Sequence, residues 1–198
     1  MRRPFMDTRQ HDSLDGQQYL VLRPTADVAR EYERTQARLL EGPGRGLKHP
    51  LTGHVTLRGF HEPERRAELA SLIRGWAAAQ HPIEVIAEAV DAFPAPWQII
   101  IVRLVRTPAL VDAYASLTAA LSATDIHRLD ELDVDDWIFH LSVVYARALD
   151  AEAWSGLETA ARRDLSPVGE VISDAEFIWY DNGVEHSEII PLGGTPCG

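Results

Sequence analysis

Two short segments, His54-Val55-Thr56-Leu57 and His140-Leu141-Ser142-Val143, share one pattern of residue types. Each consists of a histidine, an apolar residue, a hydroxyl residue and a second apolar residue. Because successive side chains of a β-strand point to opposite faces, the histidine and the hydroxyl share one face. The pattern therefore predicts two strands, each with an apolar face in the core and a polar face that meets solvent or a ligand.

The pairing of these segments is more informative than either segment alone. The chain has 8 histidines, and a third His-x-Ser/Thr match, His11-Asp12-Ser13, lacks the apolar alternation. The two complete matches lie 86 residues apart, at corresponding places in a repeated order of elements. We therefore interpret the two segments as the halves of one site.

The repeated order is helix, short strand, helix, strand, strand. Strands are predicted at 18–22, 54–59, 83–90, 98–105, 138–145, 170–172, 176–180 and 185–190, and helices at 25–40, 63–79, 108–122 and 151–164. Thr25 is the expected cap of the first helix. Strand-rich halves with outer helices predict an α+β fold of two sheet lobes. We expect one domain over 16–192, with repeats at about 18–105 and 106–192, between mobile tails at 1–15 and 193–198.

Composition narrows the class of protein. A chain of 198 residues suits one domain. The net charge of −11 argues against a protein that tracks a long nucleic acid, since such proteins carry a basic face. The start of the sequence lacks the apolar core of a secretory signal, and no apolar run is long enough to span a membrane. The single cysteine, Cys197, forms no disulfide framework within the chain. We expect a cytoplasmic monomer.

The paired segments suit the cleavage of a phosphodiester. An in-line displacement needs one group that takes a proton from the nucleophile and another that gives a proton to the leaving oxygen. Histidine suits both tasks because its pKa lies near neutrality, so His54 and His140 are the candidate catalytic residues. Thr56 and Ser142 are candidates to bind the non-bridging phosphate oxygens. Strand alternation puts Arg58 on the face of His54, where it would add a positive charge. No metal or other cofactor is required.

At these residues the sequence resembles the two-histidine phosphoesterase superfamily, near its bacterial 2′–5′ RNA ligase-like branch. The resemblance covers about 18–192, because DAFPAPWQIIIVRL (91–104) is similar to the family's Phe-Pro turn and next strand, and FIWYDNGVEHSEIIPL (177–192) to its last hairpin. It implies a bilobal fold of two antiparallel sheet lobes with pseudo-twofold symmetry around a central cleft. It also implies metal-independent chemistry on cyclic phosphates, with His140 as the base and His54 as the acid, although these two roles could be exchanged.

Two positions depart from the family pattern. Tyr145 stands where RNA ligase relatives often carry a basic residue, and Arg58 stands where many relatives carry an apolar or small residue. The charge that binds phosphate is therefore expected to differ from that of the RNA ligases. For this reason their substrate preference is not transferred to this chain.

The expected function is the opening of 2′,3′-cyclic phosphates on nucleotides or RNA ends, with a small nucleotide or an RNA terminus as the partner. Three alternatives stay open. The first is 2′–5′ RNA end joining, and the second is hydrolysis of another cyclic phosphate, such as ADP-ribose 1″,2″-cyclic phosphate. The third is a non-catalytic module that binds nucleotides or RNA.

Overall fold

The computed structural model describes residues 2–193. In that range the helices are α1 (Thr8–His11), α2 (Asp27–Glu41), α3 (Arg66–Ala78), α4 (Pro108–Ser122) and α5 (Ala151–Ala161), with short 3₁₀ turns at Asp12–Leu14 and Pro63–Arg65. The strands are β1 (Gln18–Leu22), β2 (Val55–Phe60), β3 (Ile83–Phe93), β4 (Ile99–Leu104), β5 (Arg128–Leu129), β6 (His140–Tyr145), β7 (Arg163–Ile172), β8 (Asp174–Asp181) and β9 (Val184–Pro191). The first half runs α2-β2-α3-β3-β4 and the second α4-β5-β6-α5-β7-β8-β9, so β5 and β9 stand outside the predicted repeat of elements, which stays a prediction.

The strands form one antiparallel sheet in the order β7-β3-β4-β6-β2-β1-β8-β9, with β5 paired to β2. The α+β class is therefore confirmed. The prediction of two sheet lobes takes a different form, because the two groups of four strands are joined into one sheet. They meet where β6 pairs with β2 through Val55 and Leu141. The pseudo-twofold symmetry stays a prediction.

The start of α2 differs from the sequence-based expectation. Thr25 does not cap the helix with its hydroxyl. Instead, the Glu170 carboxylate on β7 accepts hydrogen bonds from the backbone N–H groups of Thr25, Ala26 and Val28, at 2.6, 3.0 and 2.9 Å. A carboxylate suits this place because the first turn of a helix has unpaired N–H groups and a partial positive charge.

Among the described residues, no helix is long and apolar enough to cross a membrane.

The main core fills the space between the sheet and the helices. Period-2 alternation sends Leu20 and Leu22 of β1 into this core, together with Val55 and Leu57 of β2. Val21 points to the other face, where it packs with Phe5, Ile178 and Tyr180 in a second, smaller apolar cluster. This second cluster lies beneath the polar faces of the two histidine segments.

The segment predicted as an N-terminal tail makes defined contacts in the structure. It carries α1, and Phe5 is only 1% exposed. The backbone N–H groups of Phe5 and Met6 both donate to the carboxylate of Glu185, at 2.8 and 3.0 Å. Of the predicted C-terminal tail, 193–198, all but Gly193 lies outside the described residues, and so does Cys197.

Candidate active site

A cavity of about 150 Å³ lies beside the junction of β2 and β6. Three of the predicted site residues, His54, Thr56 and Ser142, line it. The remaining lining residues are Phe5, Met6, Leu14, Tyr19, Val21, Tyr145, Ile178 and Tyr180. The structure thus brings His54, Thr56 and Ser142 to one cavity, whereas His140, which belongs to the same segment as Ser142, is not among the lining residues.

The register of the junction explains this meeting. Val55 pairs with Leu141 in antiparallel orientation. In a regular antiparallel ladder, the residues beside this pair are His54 with Ser142 and Thr56 with His140. From that register we expect each histidine to lie near the hydroxyl of the other segment. This arrangement suits a bound phosphate, since an acid–base group and a hydrogen-bond donor approach it from each strand.

The two imidazole rings are held in the same way. Nδ1 of His54 lies 3.0 Å from the carbonyl oxygen of Thr52, and Nδ1 of His140 lies 2.8 Å from that of Ile138. Because a carbonyl oxygen only accepts, Nδ1–H is the donor in both rings. Nε2 of each ring is then the nitrogen that gains or loses a proton. Both histidines are thus fixed in the tautomer that acid–base chemistry at Nε2 requires.

Each ring also packs edge-on against a phenylalanine. The ring of Phe5 lies 5.0 Å from that of His54 at 84°, and the ring of Phe93 lies 4.8 Å from that of His140 at 88°. The edge-to-face arrangement is a favourable one for aromatic pairs. The rings of the two histidines are therefore limited in orientation by packing as well as by hydrogen bonding.

Gly53 permits the approach of β2 to this junction. A Cβ atom at this position would lie 2.8 Å from the ring of Tyr32 on α2 and 3.0 Å from the side chain of Leu141. Such distances are too short for nonbonded carbon atoms, which prefer about 3.5–4.0 Å. The absence of a side chain immediately before His54 thus lets the two strands meet.

Burial governs the protonation of the histidines. It lowers the pKa of His54 to about 4, with the Thr52 carbonyl opposing the shift and the charge of His140 adding to it. Burial also lowers the pKa of His140. Because a proton on His140 disfavours one on His54, the pair accepts one proton more readily than two. A singly protonated pair holds one base and one acid. Because the charge of His140 lowers the pKa of His54, the first proton goes to His140 in the free protein, and the assigned roles require the bound substrate to move it to His54.

Arg58 does not join the cavity, so the prediction that it shares the face of His54 is wrong. The ladder of β1 and β2 pairs Val21 with Thr56 but Leu20 with Arg58, which leaves Leu57 as an extra residue. Such a β-bulge breaks strict alternation and re-aims the next side chain. Arg58 is 1% exposed and points to the helices.

The buried guanidinium of Arg58 has partners of its own. It donates to the hydroxyl of Thr118 at 2.6 Å and lies over the ring of Tyr114 at 4.3 Å, both on α4. It also forms an ion pair with Glu131 at 3.1 Å. Arg58 is therefore a structural residue that ties β2 to α4.

A second bulge brings Tyr145 into the cavity. The ladder of β4 and β6 pairs Ile101 with Ser142 but Ile100 with Val144, so Val143 is the extra residue. Without this extra residue, strict alternation would place Val144, and not Tyr145, on the polar face with His140 and Ser142. Burial raises the pKa of Tyr145 to about 12, with Ser142 opposing the shift. The phenol therefore stays protonated at neutral pH.

The sequence indicated Tyr145 only indirectly, through its place at a position where relatives are basic. The other phenols of the cavity are Tyr19 and Tyr180, two aromatic residues that the sequence offers as possible surfaces for stacking a nucleobase. Burial also raises the pKa of Tyr19, to about 12, and that of Tyr180. No Arg or Lys is among the described residues that line the cavity. In residues 2–193, no three His, Cys, Asp or Glu side chains are grouped so as to hold a metal ion.

Comparison with known proteins agrees with this geometry. The family model of the 2′-5′ RNA ligase superfamily matches residues 24–184. The chain belongs to this superfamily. The match includes both histidine segments, and the resemblance to two-histidine phosphoesterases is thereby confirmed. A search of curated proteins finds no match.

Solved structures of the 2′-5′ RNA ligase superfamily share the fold. TT0787 of Thermus thermophilus superposes with a TM-score of 0.65 at 16% identity, over 90% of this chain and 98% of that chain. E. coli LigT complexed with 3′-AMP superposes with a TM-score of 0.56 at 11% identity, over 90% of this chain and 96% of that chain. E. coli LigT complexed with NADP⁺ superposes with a TM-score of 0.53 at 11% identity, over 89% of this chain and 95% of that chain. At these identities the likeness establishes the fold and leaves the substrate to be determined.

Proposed function

We propose that this protein is a metal-independent phosphodiesterase that opens 2′,3′-cyclic phosphates of nucleotides or RNA ends. The observation that carries this proposal is the matched pair of imidazoles. Each has Nδ1 hydrogen-bonded to a carbonyl two residues earlier, and the two segments that carry them pair through Val55 and Leu141. We further propose that the protein acts in the cytoplasm as a monomer on a small nucleotide or an RNA terminus.

In the proposed reaction, a neutral His140 takes a proton at Nε2 from a water molecule. The water oxygen forms a bond to phosphorus as the bond from phosphorus to one ribose oxygen breaks. The departing ribose oxygen receives a proton from Nε2 of a protonated His54. The product is a phosphate monoester beside a free hydroxyl, and the two histidines have exchanged protonation states. A proton exchange with solvent restores the pair.

Hydroxyl donors hold the phosphate in this proposal. Thr56 and Ser142 donate to the non-bridging oxygens, where negative charge increases as the water attacks. The negative charge of the bound phosphate raises the pKa of both histidines, because an opposite charge nearby favours the protonated form. Binding of the substrate thus supplies the protonated acid that the depressed pKa values disfavour in the free protein.

The structural relatives support a nucleotide as the ligand. E. coli LigT was crystallised with 3′-AMP and with NADP⁺, each of which carries an adenosine phosphate. The cavity of this chain, at about 150 Å³, is smaller than the roughly 300–1,000 Å³ of typical ligand pockets. We infer that it encloses the cyclic phosphate and its immediate surroundings, with the base lying outside.

The first experiment is an assay of the purified protein in EDTA with the four 2′,3′-cyclic nucleoside monophosphates. His54→Ala and His140→Ala are the test variants, and both are compared with wild type for folding by circular dichroism. We expect each variant to lose more than about 10²-fold in kcat, the size of a general acid or base contribution. Turnover that survives either substitution would exclude the two-histidine mechanism.

Turnover of an RNA end or of ADP-ribose 1″,2″-cyclic phosphate, without turnover of the mononucleotides, would move the assignment to that substrate. Binding of 3′-AMP that both variants retain, with no turnover of any cyclic phosphate, would favour a non-catalytic module. Joining of RNA ends would favour the ligase assignment.

A further inference from the structure

The N-terminal segment 4–14 forms one wall of the cavity, although it precedes the residues matched by the family model, 24–184. Phe5, Met6 and Leu14 all contribute lining side chains. The segment is anchored at Glu185, whose carboxylate accepts from the N–H groups of Phe5 and Met6. It is therefore a fixed part of the wall.

The ring of Phe5 contacts two polar side chains. One is His54, whose ring it meets edge-on with centroids 5.0 Å apart. The other is Arg23, whose guanidinium lies 3.7 Å from the Phe5 centroid. Arg23 is itself held by two hydrogen bonds to Glu176, at 2.7 and 2.9 Å. Phe5 thus packs between the hydrogen-bonded Arg23 side chain and the imidazole of His54, and contacts both.

The backbone of the N-terminal segment also accepts hydrogen bonds from the residues that precede His54. The carbonyl oxygen of Thr52 accepts from Nδ1 of His54. Thr52 in turn donates its hydroxyl to the carbonyl oxygen of Pro4 at 2.8 Å. Leu51 donates its N–H to the carbonyl oxygen of Phe5 at 2.8 Å. The acceptor that fixes the tautomer of His54 therefore depends on the N-terminal segment.

The other histidine has its phenylalanine within the matched region. His140 packs against Phe93, which precedes the Pro94 turn between β3 and β4. The first histidine takes its phenylalanine, Phe5, from the N-terminal segment instead. The two halves of the site thus reach the same edge-on packing through different parts of the chain.

From these contacts we propose that Phe5 is a positioning residue for His54, supplied by the N-terminal segment to complete the active site. The proposal rests on the proposed function for its kinetic consequences, and on geometry alone for the state of the His54 ring. Phe5 acts through His54 and takes no part in proton transfer.

The test compares Phe5→Ala and Phe5→Leu with a matched variant, Arg9→Ala. Arg9 belongs to the same segment but is exposed and pairs with Asp7. The imidazole resonances of His54 and His140 are followed by NMR across pH. The charged groups that act on His54 are His140, Arg23 and Glu176, and all three remain in each variant.

We expect Phe5→Ala to admit water to His54 and raise its pKa from about 4 toward the ordinary value of about 6.5, with a smaller change at His140 through its coupling to His54. We expect kcat to fall by about 10- to 100-fold with little change in KM, because misplacement of a catalytic group slows the reaction step. Phe5→Leu keeps most of the apolar volume, so we expect its His54 pKa and its kcat to lie between those of wild type and Phe5→Ala. We expect Arg9→Ala to match wild type in both quantities.

An unchanged His54 titration in Phe5→Ala, or equal shifts in both histidines, would overturn the proposal. If Phe5→Ala fails to fold, Phe5→Leu and Glu185→Gln, which weakens the anchor, give the same comparison. If wild type turns over no cyclic phosphate, the proposed function fails, whereas the His54 titration still decides the role of Phe5.

Discussion

Val55 and Leu141 form the pair through which β2 and β6 join the two halves of the sheet. The residue before each of them is a catalytic candidate, and the residue after each is a hydroxyl candidate. One backbone pairing therefore sets the positions of four side chains at once. The two segments meet at this junction although they lie 86 residues apart in the chain.

The first prediction concerns pH. At low pH both histidines are protonated and the base is lost, and at high pH both are neutral and the acid is lost. Because burial lowers both pKa values, that of His54 to about 4, we expect kcat/KM to peak below the ordinary histidine pKa of 6.5. The profile is measured from about pH 3.5 to about pH 9 at constant ionic strength, because kcat/KM reports the free enzyme. An acid limb centred at or above pH 6.5 would contradict the assignment.

The second prediction concerns the hydroxyls. Thr56→Val and Ser142→Ala each remove a donor to the phosphate and are expected to lower kcat by about 10²-fold, as for one donor to a developing oxyanion. The melting temperature stays near that of wild type, since both hydroxyls face the cavity. Ser122→Ala, at an exposed serine of α4, serves as the control. A full-rate Thr56→Val would remove that hydroxyl from the mechanism.

The third prediction separates a structural from a functional Arg58. Arg58→Met removes the guanidinium that forms an ion pair with Glu131 and donates a hydrogen bond to the hydroxyl of Thr118. We expect a loss of about 3 kcal/mol in the free energy of unfolding, because breaking a buried ion pair leaves one partner unsatisfied. The folded variant should keep the KM of wild type for a cyclic nucleotide. Arg30→Met, at an exposed ion pair of α2, is the matched control. A KM raised by tenfold without loss of stability would restore Arg58 as a phosphate ligand.

The fourth prediction concerns Tyr145. The phenol lines the cavity, and its pKa of about 12 keeps it protonated. With no Arg or Lys among the described lining residues, we expect it to donate to the phosphate. Tyr145→Phe is therefore expected to raise KM by about tenfold, equivalent to about 1.4 kcal/mol and close to the lower limit for one hydrogen bond to a charged group. Steady-state kinetics test this, and an unchanged KM would assign Tyr145 to packing alone.

The fifth prediction concerns the start of α2. Glu170→Gln leaves the size of the side chain but removes the charge that caps Thr25, Ala26 and Val28. We expect a loss of about 1 kcal/mol in the free energy of unfolding, because the amide keeps one acceptor oxygen but loses the second acceptor and the charge that interacts with the helix dipole. Urea denaturation measures it, with Glu33→Gln at an exposed position of α2 as the control. Equal stabilities of the two variants would show that the carboxylate charge is not needed.

Several features followed from local sequence patterns. Alternation placed His54 with Thr56 and His140 with Ser142, because neither pair is separated by a bulge. The helix predicted at 108–122 matches α4, whose start Thr107 caps with its hydroxyl. Asn182 and Gly183, a residue pair typical of tight hairpin turns, join β8 to β9, and both have positive φ.

Other features depend on how the strands and segments pack together. The bulges at Leu57 and Val143 turn Arg58 away from the cavity and Tyr145 into it. A bulge is a mismatch between two strands, so a single strand's periodicity cannot show it. The same holds for Phe5, which sequence analysis placed in a tail and which reaches His54 only through the packing of the folded chain. The candidate histidine pair was therefore readable from the amino-acid sequence, since its pattern is local to each strand. The rest of the cavity wall was readable only from the folded chain, because its contacts join distant segments.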